Sequence, residues 1–142
     1  MTWLKTSIQT DLAEIQGGKL AESKSKNPAV LKLARTMVAD HTNMLKSGRT
    51  LARHYHLTMP TAPSPSQKSQ MASVSSKSGT AFDQAFLKLQ VTAHIKAIKQ
   101  TKAELAHGSS TAVKSAAKAA MGMLQMHLRL AEAGLRGLGH HP

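Results

Sequence analysis

Along four long stretches of this chain, apolar residues return every three or four positions, the spacing that lines one face of an α-helix. The second stretch shows it best: Val30, Leu33, Met37, His41, Met44, Gly48, Leu51 and Tyr55 form one stripe. This periodicity limits the fold to helices packed on helices. Composition agrees, because only 3% of the residues are aromatic and the core must rest on Leu, Ala, Val, Ile and Met. Ala, Leu, Lys and Met favour helix, and strand-forming residues are few. We therefore expect an all-α domain over 1–136, with 137–142 ("GLGHHP") as a disordered tail.

The helix ends can be placed by their caps. The first helix runs from about Trp3 to Lys24, with Leu4, Ile8, Leu12 and Ile15 on its stripe and Gly17-Gly18 where a neighbour comes close. Asn27 and Pro28 open the second, as N-cap and first helical residue. Ser64 and Gln67 have the form of a capping box, which opens a short helix from about Pro65 to Ser76. Thr80 with Asp83 reads as another such box and opens the third long helix, which closes at His107-Gly108. The fourth begins after Ser109–Thr111 and dissolves from Gly134 onward. Tight links join the first and second long helices and the third and fourth, so each pair is antiparallel. The connection between the second and third is long enough to cross the bundle. That is the ferritin-like arrangement; a plain up-down-up-down bundle is the alternative.

Three inward stripes are interrupted in the same way. His41, His94 and His127 each sit mid-stripe on a different long helix. Reflecting the first helix through the turn at Asn27 sets Glu14 opposite Asp40 and His41. His41 and His94 lie equally deep in their helices, and His127 is off by about one turn, or about 5 Å at 1.5 Å per residue. Glu14, Asp40, His41, His94 and His127 are thus candidates to meet in the core. They can form a hydrogen-bonded polar network, hold Zn, Cu or Fe, or do acid–base chemistry. Met37 and Met44 flank His41, and Met121, Met123 and Met126 precede His127, which adds a soft Cu(I) variant; Met also simply fills gaps.

Several functions are excluded. A di-iron ferroxidase site needs Glu-x-x-His on two helices; the chain has it once, as Glu104–His107 at the end of the third long helix, so that chemistry is not expected, and His-Glu-x-x-His and cysteine are absent. No nucleophile motif or phosphate loop accompanies the histidines, so a non-enzymatic role is the primary reading. The formal net charge is +12, from 19 Lys and Arg against 7 Asp and Glu. Lys46, Arg49 and Arg53, with Lys96, Lys99 and Lys102, could serve nucleic acid, other polyanions or an anionic membrane surface. No apolar run approaches the roughly 20 residues that span a bilayer. "MTWLKTSIQT" does not have the pattern of a signal peptide, so the chain reads as cytoplasmic or as trimmed of a leader.

The segments "AEIQGGKLAESKSKNPAVLKLARTMVADHT", "LTMPTAP", "SGTAFDQAFLKLQVTAHIKAI" and "LQMHLRLAEA" resemble the bacterial domain of unknown function 4142 family. The likeness runs from about Asp11 to Leu135. Its most specific parts are Met37-Val38-x-Asp40-His41, Phe82-Asp83, His94 and His127, with Glu14. The resemblance implies a ferritin-like bundle and an exported, periplasmic or secreted protein. A small envelope protein with a binding or stress-related role, built around a histidine-lined core, is the leading expectation. It implies no activity. Ala93, Met126 and Gln16 stand where the family often has acids, which favours a neutral histidine network or a soft metal over a hard one.

Overall fold

The computed structural model describes residues 2–139. They form five α-helices and, among the described residues, no strand: α1 (Thr2–Lys24), α2 (Pro28–His54), α3 (Pro65–Ser75), α4 (Gly79–His107) and α5 (Thr111–Gly137). None is long and apolar enough to cross a membrane.

The caps explain the starts, with one exception. The Asn27 side chain accepts hydrogen bonds from the Ala29 and Val30 amides at 2.9 and 3.2 Å, and Pro28 lacks the N–H that would otherwise go unpaired. Ser64 and Gln67 form the reciprocal box that opens α3: the Gln67 amide donates to Ser64 Oγ and the Ser64 amide to Gln67 Oε1. The expected Thr80–Asp83 box does not form. Ser78 is the N-cap of α4 and makes no side-chain cap bond. Asp83 is buried and accepts a hydrogen bond from Ser25 Oγ at 2.6 Å, so a tertiary partner outcompetes the local one. At the other end, α5 does not dissolve at Gly134 but continues to Gly137. The expected tail therefore begins as helix, and 140–142 lie outside the described residues.

Side-chain bonds between helices set the directions. Trp3 Nε1–H near the start of α1 donates to Thr101 Oγ1 late in α4, and Ser25 just past the end of α1 meets Asp83 early in α4. These helices are antiparallel. Tyr55 after α2 pairs with Ser110 before α5 at 2.9 Å, so α2 and α5 are antiparallel too. With α1 antiparallel to α2, helices α2 and α4 must run the same way. The long connection carrying α3 thus traverses the bundle and ends where Lys24 Nζ donates to the Ser75 carbonyl. The up-down-up-down alternative is set aside by these contacts.

The core has apolar ends and a polar middle. One end packs Val30, Leu33 and Met37 against Phe82, Phe86 and Leu135. Its Phe82 and Phe86 rings stack at 5.9 Å. The other end holds Leu4, Ile8, Leu45 and Ala52 beside Ile98, Ala120 and Leu124. Each large buried side chain contributes about 1.5–3 kcal/mol, so the two ends clamp whatever lies between them. α1 and α2 approach closely at Gly18, where an added Cβ would lie 2.6 Å from Val38 Cγ2 and 2.9 Å from the Ala34 carbonyl oxygen.

Candidate metal centre

Between the apolar ends lies a layer of buried polar side chains: Asp11 and Glu14 from α1, His41 from α2, Gln90 and His94 from α4, and His127 from α5. They reach it because each falls on its helix's inward stripe. In α1 that stripe follows Leu4, Ile8, Asp11, Glu14, Gly18 and Ala21. The i+4 reading through Leu12 and Ile15 is displaced by about one residue, and those two side chains are only half-buried.

The three imidazoles meet. Ring centroids are 5.2 Å apart for His41–His127, 5.3 Å for His94–His127 and 6.0 Å for His41–His94. One nitrogen from each ring lies within 4.8 Å of the other two. All three residues are buried, His127 completely.

Each ring has an acceptor behind it. His94 Nδ1–H donates to the Gln90 carbonyl oxygen at 2.8 Å, which leaves Nε2 with its lone pair. His127 Nε2 lies 2.8 Å from Asp40 Oδ2, so donation to that oxygen leaves Nδ1 with the lone pair. His41 Nδ1 lies 2.8 Å from Asp11 Oδ1. With Asp11 ionised, Nδ1–H donates and His41 Nε2 carries the lone pair. This is how metal-ligating histidines are usually held, with the far nitrogen on a carboxylate or carbonyl.

The inward nitrogens are poorly satisfied by one another. His94 Nε2 and His127 Nδ1 are 3.3 Å apart and share at most one proton. His41 Nε2 is buried with no hydrogen-bond partner. Burial pushes the pKa of His41 down to about 3, helped by repulsion from His127 and opposed by the nearby Asp40 carboxylate. Burial also takes His94 down to about 3. Both rings are thus neutral, the form that binds metal. Burial moves the Asp11 carboxyl the other way, up to about 8, and a cation at the far side of His41 would favour its ionised form.

The sequence-derived candidates divide here. His41, His94 and His127 come together. Asp40 is half-buried and orients His127 from the edge of the bundle. Glu14 is buried but lies outside the group of converging donor atoms, and its Oε2 has no partner. Burial, with repulsion from Asp11, raises its carboxyl to about 8. Asp11, not Glu14, meets His41. Its position three residues after Ile8 was the available signal. Gln90 was also missed; its carbonyl fixes His94 from about one helical turn away, at i−4. The methionines take no visible part: Met37 sits in the apolar end cluster and Met126 is 47% exposed.

A helical bundle closed over a buried cluster of three imidazoles belongs to the class of all-α proteins with a polar centre. Within that class, the chain belongs to the family described as domain of unknown function (DUF4142), whose family model matches residues 1–133. No curated protein and no solved structure matches it.

Proposed function

We propose that this protein binds one transition-metal ion through His41, His94 and His127. The observation that carries the reading is the orphaned, buried Nε2 of His41, facing a centre whose other two rings are each held from behind. Leaving a buried polar atom unpaired costs about 1–3 kcal/mol, and a cation accepting three lone pairs would remove that cost. The spacing agrees: two nitrogens each about 2.0–2.1 Å from a tetrahedral ion lie roughly 3.3 Å apart. His94 Nε2 and His127 Nδ1 already have that separation. His41 would close in from a wider position.

Three imidazoles suit Zn, Cu or Fe. Without the paired Glu-x-x-His ligands, the protein is read as a binder and not as a ferroxidase. The long crossover supports the ferritin-like assignment of the bundle. An exported location, implied by the family resemblance, belongs to the same proposal.

Titration of the chelator-stripped protein with Cu(I), Zn(II) and Fe(II) tests it. One equivalent of at least one ion is expected to bind, and His41→Ala is expected to abolish that binding. No binding of any of the three would reduce the centre to a polar network that keeps the helices in register.

Burial of Asp11, Glu14 and Asp83 also removes three of the seven acidic residues from the surface, while Lys46, Arg49, Arg53, Lys96, Lys99 and Lys102 stay exposed. This favours, as a second reading, loose association with polyanions. Its affinity for DNA is expected to fall steeply with salt and to ignore His41→Ala.

A further inference from the structure

Trp3 is a shared wall of three cavities at one end of the bundle. The innermost, of about 20 Å³, opens between α1 and α4 and has room for one water molecule. It reaches the edge of the histidine centre: buried Asp11 and His41 form its inner end, and half-buried Thr6, Ser7 and Thr10 its outer end. Outside it, the first turns of α1 and the last turns of α4 enclose a cavity of about 310 Å³. The two cavities share Trp3, Thr6 and Gln100. The indole is held between them by its Nε1–H, which donates to Thr101 Oγ1 across the helices at 3.0 Å. The third cavity, of about 150 Å³, is walled by Leu4, Met44 and Met123 and meets no ring of the centre.

The outer cavity suits a cation. The formal net charge of +12 repels cations from most of the surface. Among the described residues, however, no lysine or arginine lines the outer or the innermost cavity, and Glu104 gives the outer one a carboxylate. Exposed His107 lines the same cavity. Glu104 and His107 are the single Glu-x-x-His of the chain, and the buried centre does not use them. Side chains three residues apart are neighbours on a helix, so this carboxylate and imidazole can hold one transition-metal ion between them. Inward from there, Gln100, Thr6 and Thr10 offer amide and hydroxyl oxygens that can replace water around an ion.

We infer that this is the route by which an ion reaches the histidine centre. Glu104 and His107 capture it at the mouth, and Trp3 is the gate that leaves Thr101 to admit it. The inference rests on the metal reading and adds control of entry to it. An indole N–H is a donor only and cannot ligate an ion, so the gate sets the rate of loading and not the affinity.

Two measurements separate the route from the site. In the first, the chelator-stripped protein is treated with diethyl pyrocarbonate, an uncharged reagent that acylates neutral imidazole, and each histidine is timed by mass spectrometry. Exposed His54 and His56 are the references. Trp3→Ala is expected to speed modification of His41 at least tenfold and to leave the references unchanged. Leu135→Ala, an apolar truncation in the opposite end of the core, reports any loosening of the whole bundle. In the second, uptake of Cu(I), Zn(II) and Fe(II) is timed against a chromophoric chelator. Trp3→Ala is expected to speed uptake and release alike at least tenfold, with the affinity held within about twofold. Glu104→Gln is expected to slow uptake several-fold and to leave modification by the uncharged reagent unchanged. Thr101→Val removes the hydrogen bond, keeps the shape and is expected to shift the Trp3→Ala rates in the same direction, so it decides the matter if Trp3→Ala does not fold. An unchanged rate at His41 in Trp3→Ala would overturn the gate. So would equal acceleration by Leu135→Ala. Unchanged uptake in Glu104→Gln would overturn the capture step. Failure of all three ions to bind the wild-type protein would overturn the metal reading instead, and the modification rates would still decide the gate.

Discussion

Asp11 Oδ1 and His41 Nδ1 lie 2.8 Å apart inside the bundle, joining α1 to α2 across the polar layer. The contact points His41 Nε2 at the other two imidazoles. Asp11→Asn keeps the shape but removes the charge that would hold Nδ1–H. It is expected to lower metal affinity about 10–100-fold, the usual effect of losing such an orienting partner. Competition against a chromophoric chelator measures this; unchanged affinity would show that Asp11 does not orient the ligand.

Asp40 plays the same part for His127 but from a half-exposed position. Asp40→Asn is therefore expected to cost metal affinity in the same range of about 10–100-fold, with little loss of stability. Met126→Ala removes an exposed thioether and is expected to leave affinity within about twofold. A large loss on Met126→Ala would bring sulfur back as a ligand.

Stability of the metal-free chain should peak in mild acid. Asp11 and Glu14 keep their protons up to about 8 when folded, but release them near 3.8 and 4.5 when unfolded. Where the folded state holds protons that the unfolded chain has lost, stability falls as pH rises. His41 and His94 do the reverse: unfolded, they take up protons below 6.5, and folded, only near 3, so their contribution is lost as pH falls. The two trends offset each other between 4.5 and 6.5. Urea midpoints in a chelator are thus expected to be level there, lower at pH 8 and lower at pH 3.5. Glu14→Gln should remove part of the alkaline decline. A steady rise from pH 5.5 to 8 would contradict the assignment.

Two glycine substitutions should move stability in opposite directions. At Gly18 a new Cβ would meet Val38 and the Ala34 backbone, whereas at Gly122 it would meet nothing within 4 Å. Gly18→Ala is expected to destabilise by about 1–3 kcal/mol through overpacking. Gly122→Ala, in the middle of α5, is expected to stabilise by about 0.4–1 kcal/mol, because the unfolded chain loses freedom. Chemical denaturation of both variants checks the pair.

Much of the helical framework was legible because its signals are local. Asn27-Pro28 and Ser64–Gln67 act on backbone groups within their own first turn, so their geometry follows from spacing. Thr80–Asp83 had the same form and failed, because Ser25, 58 residues away, offered Asp83 a buried partner. Local chemistry proposes a cap; a long-range contact can withdraw it.

The histidine centre shows the same division. That His41, His94 and His127 lie on inward stripes was a property of helical spacing alone. Which acid stands behind which ring was not. Along α1, residues 11 and 14 and residues 12 and 15 both continue the line from Leu4 and Ile8, since three- and four-residue steps fall on either side of a 3.6-residue turn. Only the rotation of α1 against α2 chooses between them. That rotation is settled by packing along the whole interface, including the close approach at Gly18. The sequence by itself determined that this is a helical chain with imidazoles turned inward. The tertiary structure decided that Asp11 and not Glu14 joins them, because helix rotation is a property of two surfaces and not of one.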